Sequence, residues 1–293
     1  MFIATLIAAD RLVQGDISAV SDRLADAGCA PVVGGWLDEG SAADFPFALA
    51  PDAARVALEG VFAGADVVVQ PMEGRAKVLL VADMDSTMIT VECIDELADF
   101  AGLKPEIAAI TERAMRGELD FEGALDARVA LLKGLDAGAI DRCLAERVRI
   151  MPGARELVRT MRSRGGTAVL VSGGFTRFAE PVAAEIGFDR AIANVLEIKD
   201  GRLTGTVARP IVGSSTKEET LLASLAERGL APELSMAVGD GANDLAMIRR
   251  AGLGVAYHAK PIVAEAAAAR IDNGDLTALL WAQGIARRDW IVA

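Results

Sequence analysis

Four short apolar runs constrain this chain most: KVLLVA (77–82), TAVLVSGG (167–174), SMAVGDG (235–241) and GVAY (254–257). Each is too short for a buried helix, rich in residues that favour strands, and apolar at successive positions. Such strands are covered on both faces. The stretches between them read as helices: PGARELVRTMRSRGG, TRFAEPVAAEIG, STKEETLLASLAERG, NDLAMIRRAG and KPIVAEAAAA. The alternation predicts a parallel α/β sheet with helices on both faces. NVLEIKDGRLTGTV interrupts it as a hairpin turning at Asp200-Gly201.

Two further segments stand outside the alternation. Residues 94–149 are almost wholly helical and are expected to form a cap over the sheet, inserted at about 88–150. Residues 1–76 read as a small α+β unit with strands FIATLIAA and ADVVVQ, helices DISAVSDRLADAG and PDAARVALEGVFAG, and weak strands near APVVGGWL. Its residues leave a regulatory, dimerising or merely stabilising role open. The main domain is expected over 77–293, with PMEGRAK (71–77) as linker.

Composition removes several function classes. The 293 residues hold 42 acidic against 30 basic side chains, net −12, which disfavours nucleic acid or an anionic membrane as partner. No apolar run reaches 18 residues, so no membrane span is expected. The start, MFIATLIAAD, lacks a basic flank and makes a poor signal peptide. Three cysteines without paired spacing suit a reducing compartment, and a cytoplasmic protein is expected. One histidine cannot supply histidine-based phosphate chemistry or a multi-histidine zinc site. Cys143 and Arg149 match a Cys-x5-Arg spacing, but they sit in a charged helical stretch without a glycine loop and are read as chance.

Ligands of open α/β sheets bind beyond the carboxyl ends of the strands. Four segments should meet there. DMDST (83–87) offers two carboxylates, or alternatively a turn that caps a helix. VSGGF (171–175) offers the Ser172 hydroxyl and the N–H groups of Gly173 and Gly174 at a helix start, or an ordinary glycine turn. SSTKEET (214–220) reads as a capping box on Ser215 or Thr216 with Lys217 in the first helical turn, where the helix dipole disfavours a cation. GDGAND (239–244) gathers oxygen donors suited to Mg²⁺. A phosphate oxygen about 4 Å from Asp83 would be repelled by roughly 4 kcal/mol per unit charge at an effective dielectric of 20. The acidic pair becomes workable only beside a metal and a cation, which Asp240 and Lys217 supply.

In this order and wording the segments resemble the four motifs of the haloacid dehalogenase (HAD) superfamily of aspartate-nucleophile phosphotransferases, over residues 77–258. The resemblance extends to the branch that acts on O-phospho-L-serine and carries an extra N-terminal domain. The details are Glu92, nine residues beyond Asp83, the cap, and MRGELDFEGALDARV (115–129). It implies an HAD-like Rossmannoid sheet with a helical cap and a small ACT-like N-terminal domain. It also implies Mg²⁺-dependent hydrolysis of O-phospho-L-serine to L-serine and phosphate, the last step of L-serine biosynthesis.

By the same resemblance Asp83 is the nucleophile and Asp85 the proton donor. Mg²⁺ is held by Asp83, the Asp85 carbonyl and Asp240, with Asp244 in support. Glu92 meets the substrate ammonium and Arg128 its carboxylate, and Met115 and Phe121 line the closed pocket. Ser172, Gly173, Lys217 and Asn243 contact phosphate. From position alone Glu92 and Arg128 read equally well as solvated helix residues. A homodimer through the N-terminal unit is a further expectation. The alternatives are a relative acting on another small amino or alcohol phosphate, and a non-catalytic binding protein on the same fold.

Overall fold

The structure, a computed structural model, describes residues 1–115 and 118–292, and of Met115 the backbone. The N-terminal unit runs β1 (Phe2–Ala8), α1 (Gln14–Asp26), β2 (Gly35–Asp38), β3 (Ala42–Phe47), α2 (Pro51–Leu58) and β4 (Ala65–Pro71). Its strands form an antiparallel sheet in the order β2-β3-β1-β4, a split βαβ arrangement. One face buries Ala4, Leu6 and Phe45 with Leu24 and Leu58 of the two helices. From the opposite face Ile7, Ala42 and Val68 join the main core. β3 was not anticipated, because AADFPF carries a proline and an aspartate. Pairing with the centre of the sheet, Thr5 opposite Asp44, overrides its weak propensity.

The rest of the chain follows as β5 (Leu79–Ala82), the cap helices α3 (Cys93–Phe100), α4 (Lys104–Met115), α5 (Phe121–Leu131) and α6 (Gly138–Arg147), then α7 (Ala154–Ser163), β6 (Thr167–Phe175), α8 (Thr176–Ile186) and β7 (Arg190–Asn194). A hairpin, β8 (Leu196–Lys199) and β9 (Arg202–Val207), precedes α9 (Ser214–Arg228), β10 (Ser235–Gly239), α10 (Leu245–Arg250), β11 (Leu253–Tyr257), α11 (Pro261–Ala266), β12 (Ala269–Ile271) and α12 (Ala278–Ala282). β12, β11, β10, β5, β6 and β7 lie side by side in that order, all parallel. Along β5, Leu80 and Ala82 face one core while Leu79 and Val81 face the other. Both faces of the sheet are covered, as an α/β sheet requires.

Three local expectations need correction. The alanine run after Lys260 stops being helical at Ala266, and Ala269 pairs with Val255 in an edge strand. Burial of Ala267 and Ala269 against the core outweighs alanine's helix propensity. β7, hidden in DRAIAN, is recruited by pairing with β6. Gly173 and Gly174 belong to the end of β6, and the helix starts at Thr176. The hairpin turns through Asp200 and Gly201, both at positive φ (52° and 74°), as its twist demands.

Candidate active site

The chain leaves β5 toward β6 and β7, then returns to build β10, β11 and β12 on the other side. The connections reverse between β5 and β10, where a crevice opens beyond the carboxyl ends of the strands. Asp83 follows β5 directly, and its N–H donates to the Val238 carbonyl of β10 at 3.0 Å. Asp240 follows β10. Sheet register alone therefore brings two carboxylates, 157 positions apart in sequence order by their numbers (240 − 83), to one crevice.

Lys217 joins them from α9. The helix is capped by Gly213, whose N–H donates to Thr216 Oγ1 at 3.3 Å. Ser215 and Thr216 therefore lie inside its first turn instead of capping it, and Lys217 follows them. The Lys217 side chain is 0% exposed, with Nζ 2.6 Å from Asp83 Oδ1 and 2.6 Å from Asp244 Oδ1. Burial opposes the lysine's charge, but the two carboxylates outweigh burial and hold its pKa above the usual lysine range. Asp83 Oδ1 also accepts from the Met84 N–H at 2.7 Å. Both donors sit on Oδ1, so Oδ2 accepts from neither. Burial and the Asp244 charge push the Asp83 carboxyl well up, and Lys217 pulls it back.

Asp85 is held by different neighbours. Its Oδ1 accepts the Cys93 N–H at 3.0 Å, and Ser172 Oγ donates to Oδ2 at 3.4 Å. Burial first, then the Glu92 charge, raises its pKa to about 7. Ser86, at φ 55°, bends the chain between them and donates its hydroxyl to Glu92 Oε1 at 2.7 Å. A non-glycine residue in this region carries roughly 1 kcal/mol of strain or more. Asp240 accepts from Thr87 Oγ1 at 3.1 Å; burial and the Asp244 and Glu92 charges raise it to about 6.

Carboxylate oxygens of Asp83, Asp240 and Asp244 lie within 4.8 Å of one another. Both Asp244 oxygens are already engaged, Oδ1 by Lys217 and Oδ2 by the Gly241 N–H at 3.0 Å. Asp83 and Asp240 remain as the carboxylates able to hold a hard divalent cation. The glycine before Asp240 has a steric reason: a methyl group on Gly239 would overlap the Asp244 carboxylate.

A cavity of ≈ 120 Å³ opens in front of these groups, lined by Asp83, Asp85, Glu92, Ile94, Phe121, Leu125, Arg128, Gly173, Gly174, Phe175, Asp240, Gly241, Asn243 and Lys260. Arg128 stands on α5, its Nε donating to the Ala124 carbonyl at 3.2 Å. Burial lowers its pKa, while Asp95, Glu92 and Asp85 oppose the drop.

Of the residues singled out from sequence, Asp83, Asp85, Glu92, Phe121, Arg128, Gly173, Asp240 and Asn243 line this cavity. Ser172 and Lys217 are fully buried behind its wall, turned onto Asp85 and Asp83. The Gly174 N–H, expected to face a ligand, donates instead to Ser172 Oγ at 2.8 Å. The Met115 side chain lies outside the described residues. Cys143 is buried with its thiol pushed up to about 11, and Arg149 is bonded to the carbonyls of Ala145, Glu146 and Val148, so that pair forms no thiolate site.

Sequence reading missed Lys260 and Asn194. Buried Asn194 donates Nδ2 to the carbonyls of Gly173 (2.9 Å) and Val212 (3.1 Å) and accepts the Val212 N–H (2.8 Å). It ties the end of β6 to the segment before α9.

The haloacid dehalogenase-like hydrolase family model matches residues 80–249, more than half of the chain. The chain belongs to this family. Among its HAD relatives, a phosphoserine phosphatase of Streptomyces coelicolor is 47% identical over 236 residues, covering 80% of this chain and 57% of that protein. The chain thus spans a little over half the length of that curated relative. A crystal structure of a HAD family hydrolase from Salmonella enterica serovar Typhi superposes with a TM-score of 0.84 at 28% identity, covering 98% of this chain and 99% of that one. A phosphoserine phosphatase solved as a phospho-aspartyl intermediate analogue has a TM-score of 0.65 at 39% identity, over 70% of this chain and 98% of that chain. The HAD match begins in β5 and ends in α10, so it spans Asp83, the cap, Ser172, Lys217 and Asp240.

Proposed function

We propose that the chain is a cytoplasmic, Mg²⁺-dependent phosphomonoesterase that hydrolyses O-phospho-L-serine to L-serine and phosphate, in the last step of L-serine biosynthesis. Residues 1–76 would form an accessory unit and 77–293 the catalytic domain. The observation that carries this reading is the shared ammonium of Lys217, 2.6 Å from both Asp83 and Asp244, beside a cavity bearing Glu92 and Arg128. A zwitterionic amino acid needs one anion and one cation, and these two side chains supply them. Similarity to phosphoserine phosphatases adds support.

Asp83 Oδ2, with both donors on the other oxygen, is the free nucleophile. It attacks phosphorus; the bond from phosphorus to the seryl oxygen breaks, and Asp85, protonated near neutrality, gives its proton to that oxygen. Serine leaves. Asp85 then takes a proton from water, which attacks the aspartyl phosphate and frees Asp83. Asp83, Asp240 and the Asp85 carbonyl would hold Mg²⁺, which supplies positive charge to the phosphoryl oxygens. Asn243 and Gly173 contact the phosphoryl group, while Ser172 and Lys217 steady the two reacting carboxylates from behind. Phe121 closes the pocket against water.

A substrate panel tests the reading. The parent chain should prefer O-phospho-L-serine over phosphoethanolamine, which lacks the carboxylate. Arg128→Ala should erase that preference by about 10–100-fold, mostly in KM. A parent chain that prefers phosphoethanolamine would shift the assignment to another small amino or alcohol phosphate. No turnover of any phosphomonoester with Mg²⁺ would leave a non-catalytic binding protein.

A further inference from the structure

One cation on the cavity wall is used neither by the motifs nor by the function above. Lys260 lines the cavity beside Asp240, Gly241 and Asn243. Its backbone is pinned: the N–H donates to the Asp240 carbonyl at 3.1 Å, and its own carbonyl accepts from Val263 (2.9 Å) and Ala264 (3.1 Å). The loop is also braced from behind. His258 N–H donates to the Ile271 carbonyl at 2.9 Å, its Nε2 lies 3.0 Å from the Gly274 carbonyl, and the Gly274 N–H donates to Asp66 Oδ2 at 2.8 Å. The base of the side chain is thus fixed relative to Asp240, while the side chain itself is exposed.

The charges of the cavity give this lysine a task. Lys217 is wholly buried and shared by two carboxylates, so its charge is largely neutralised before any ligand arrives. The described lining residues include Asp83, Asp85, Glu92 and Asp240 as acids, and Arg128 and Lys260 as bases. Arg128 comes from the cap, on the side expected to read a carboxylate. Lys260 comes from the sheet side, next to Asn243. A phosphomonoester dianion approaching Asp83 must pass the acidic wall, and a positive group on the sheet side offsets the repulsion.

We propose that Lys260 is a phosphate-binding residue: its ammonium receives a phosphoryl oxygen at the mouth of the cavity, on the Asn243 side, and draws the dianion toward Asp83. This rests on the phosphomonoesterase reading. Lysine's compact charge on a flexible stem suits capture more than rigid orientation.

Inorganic phosphate is the probe. In the presence of Mg²⁺, phosphate binding is followed by thermal shift on the parent chain, Lys260→Ala and Lys260→Arg. Lys260→Ala should weaken phosphate binding about tenfold, and Lys260→Arg should return it to within about threefold of the parent. KM for O-phospho-L-serine should rise by the same factor, with kcat falling less than about threefold. The difference between parent and Ala variant should shrink in about 0.5 M salt. Mg²⁺ binding without phosphate should stay at least as tight in Lys260→Ala, because a neighbouring cation has been removed from Asp240. Equal phosphate affinity in parent and Ala variant, or an Arg variant as weak as Ala, would overturn the proposal. Weakened Mg²⁺ binding in Lys260→Ala would also overturn it, by pointing to a displaced loop. If the parent chain releases no phosphate from O-phospho-L-serine, the function reading fails, and the phosphate titration still decides the role of Lys260.

Discussion

Lys217 holds together two carboxylates that would otherwise repel each other in a buried site, and this sets the largest single-residue effects. Lys217→Met leaves Asp83 and Asp244 uncompensated, and should cost roughly 3–5 kcal/mol in urea unfolding as well as turnover. An unchanged unfolding midpoint would contradict the shared-ammonium geometry. The other acids set a pH dependence. Asp85 is held at about 7 and Asp240 at about 6, above the ~3.9 of an unfolded aspartate. The native state therefore keeps protons that the unfolded chain gives up, and stability is lost as pH rises from about 4 to about 7. In chelator, Tm should fall by roughly 5–10 °C between pH 5 and pH 8, and Mg²⁺ should reverse the fall. A Tm that rises with pH in chelator would contradict these carboxyl environments. Asp83, Asp85, Lys217 and Asp240 were legible in the sequence because each sits in a short segment whose composition makes little sense without the others. Lys260 was not: it reads as the first residue of an alanine-rich helix, and only the path of β11 brings it to the cavity.

Among the elements, the ends of β5, β6 and β10 and the start of α9 must keep register to within a fraction of an ångström. Asn194 at the end of β7 is the joint between two of them. Asn194→Leu leaves the Gly173 carbonyl and both polar groups of Val212 without this partner, at about 1–3 kcal/mol for each group that stays buried and unpaired. The expected outcome is a lower Tm together with a raised KM, because Gly173 lines the cavity. A raised Tm with unchanged KM would mean the tether is dispensable. The parallel strands and most helices were legible from periodicity and length. β7 and β12 were not, since their short, mixed segments become strands only through their neighbours. The cap is joined to the sheet by two segments that pair with each other: the Thr90 N–H donates to the Arg149 carbonyl at 3.0 Å and the Met151 N–H to the Met88 carbonyl at 2.9 Å. This narrow ribbon is where cap movement would be concentrated.

In the whole molecule, the N-terminal sheet meets the catalytic domain through a shared apolar core and several polar links, among them one buried carboxylate. Asp66 on β4 accepts the N–H groups of Asp272 (2.9 Å), Asn273 (3.1 Å) and Gly274 (2.8 Å), and Asn273 Nδ2 at 3.0 Å. Asp66→Ala removes the acceptor for all of them and should lower stability by about 3 kcal/mol or more, read as a shifted urea midpoint. Two separate unfolding transitions in that variant would mark the loss of the joint, and an unchanged midpoint would show that the sheets hold without it. No sequence signal announced Asp66, because its partners lie more than two hundred positions away. Among the described residues no helix is long and apolar enough to cross a membrane. The proposed function rests on phosphorylation of Asp83 during turnover. Acid quenching of the Mg²⁺-loaded protein during hydrolysis of O-phospho-L-serine labelled in its phosphate tests it most directly. Label is expected on the peptide that contains Asp83, with neither label nor turnover in Asp83→Asn, whose fold stays intact by circular dichroism. Hydrolysis by Asp83→Asn at the parental rate, or label on a different residue, would contradict it.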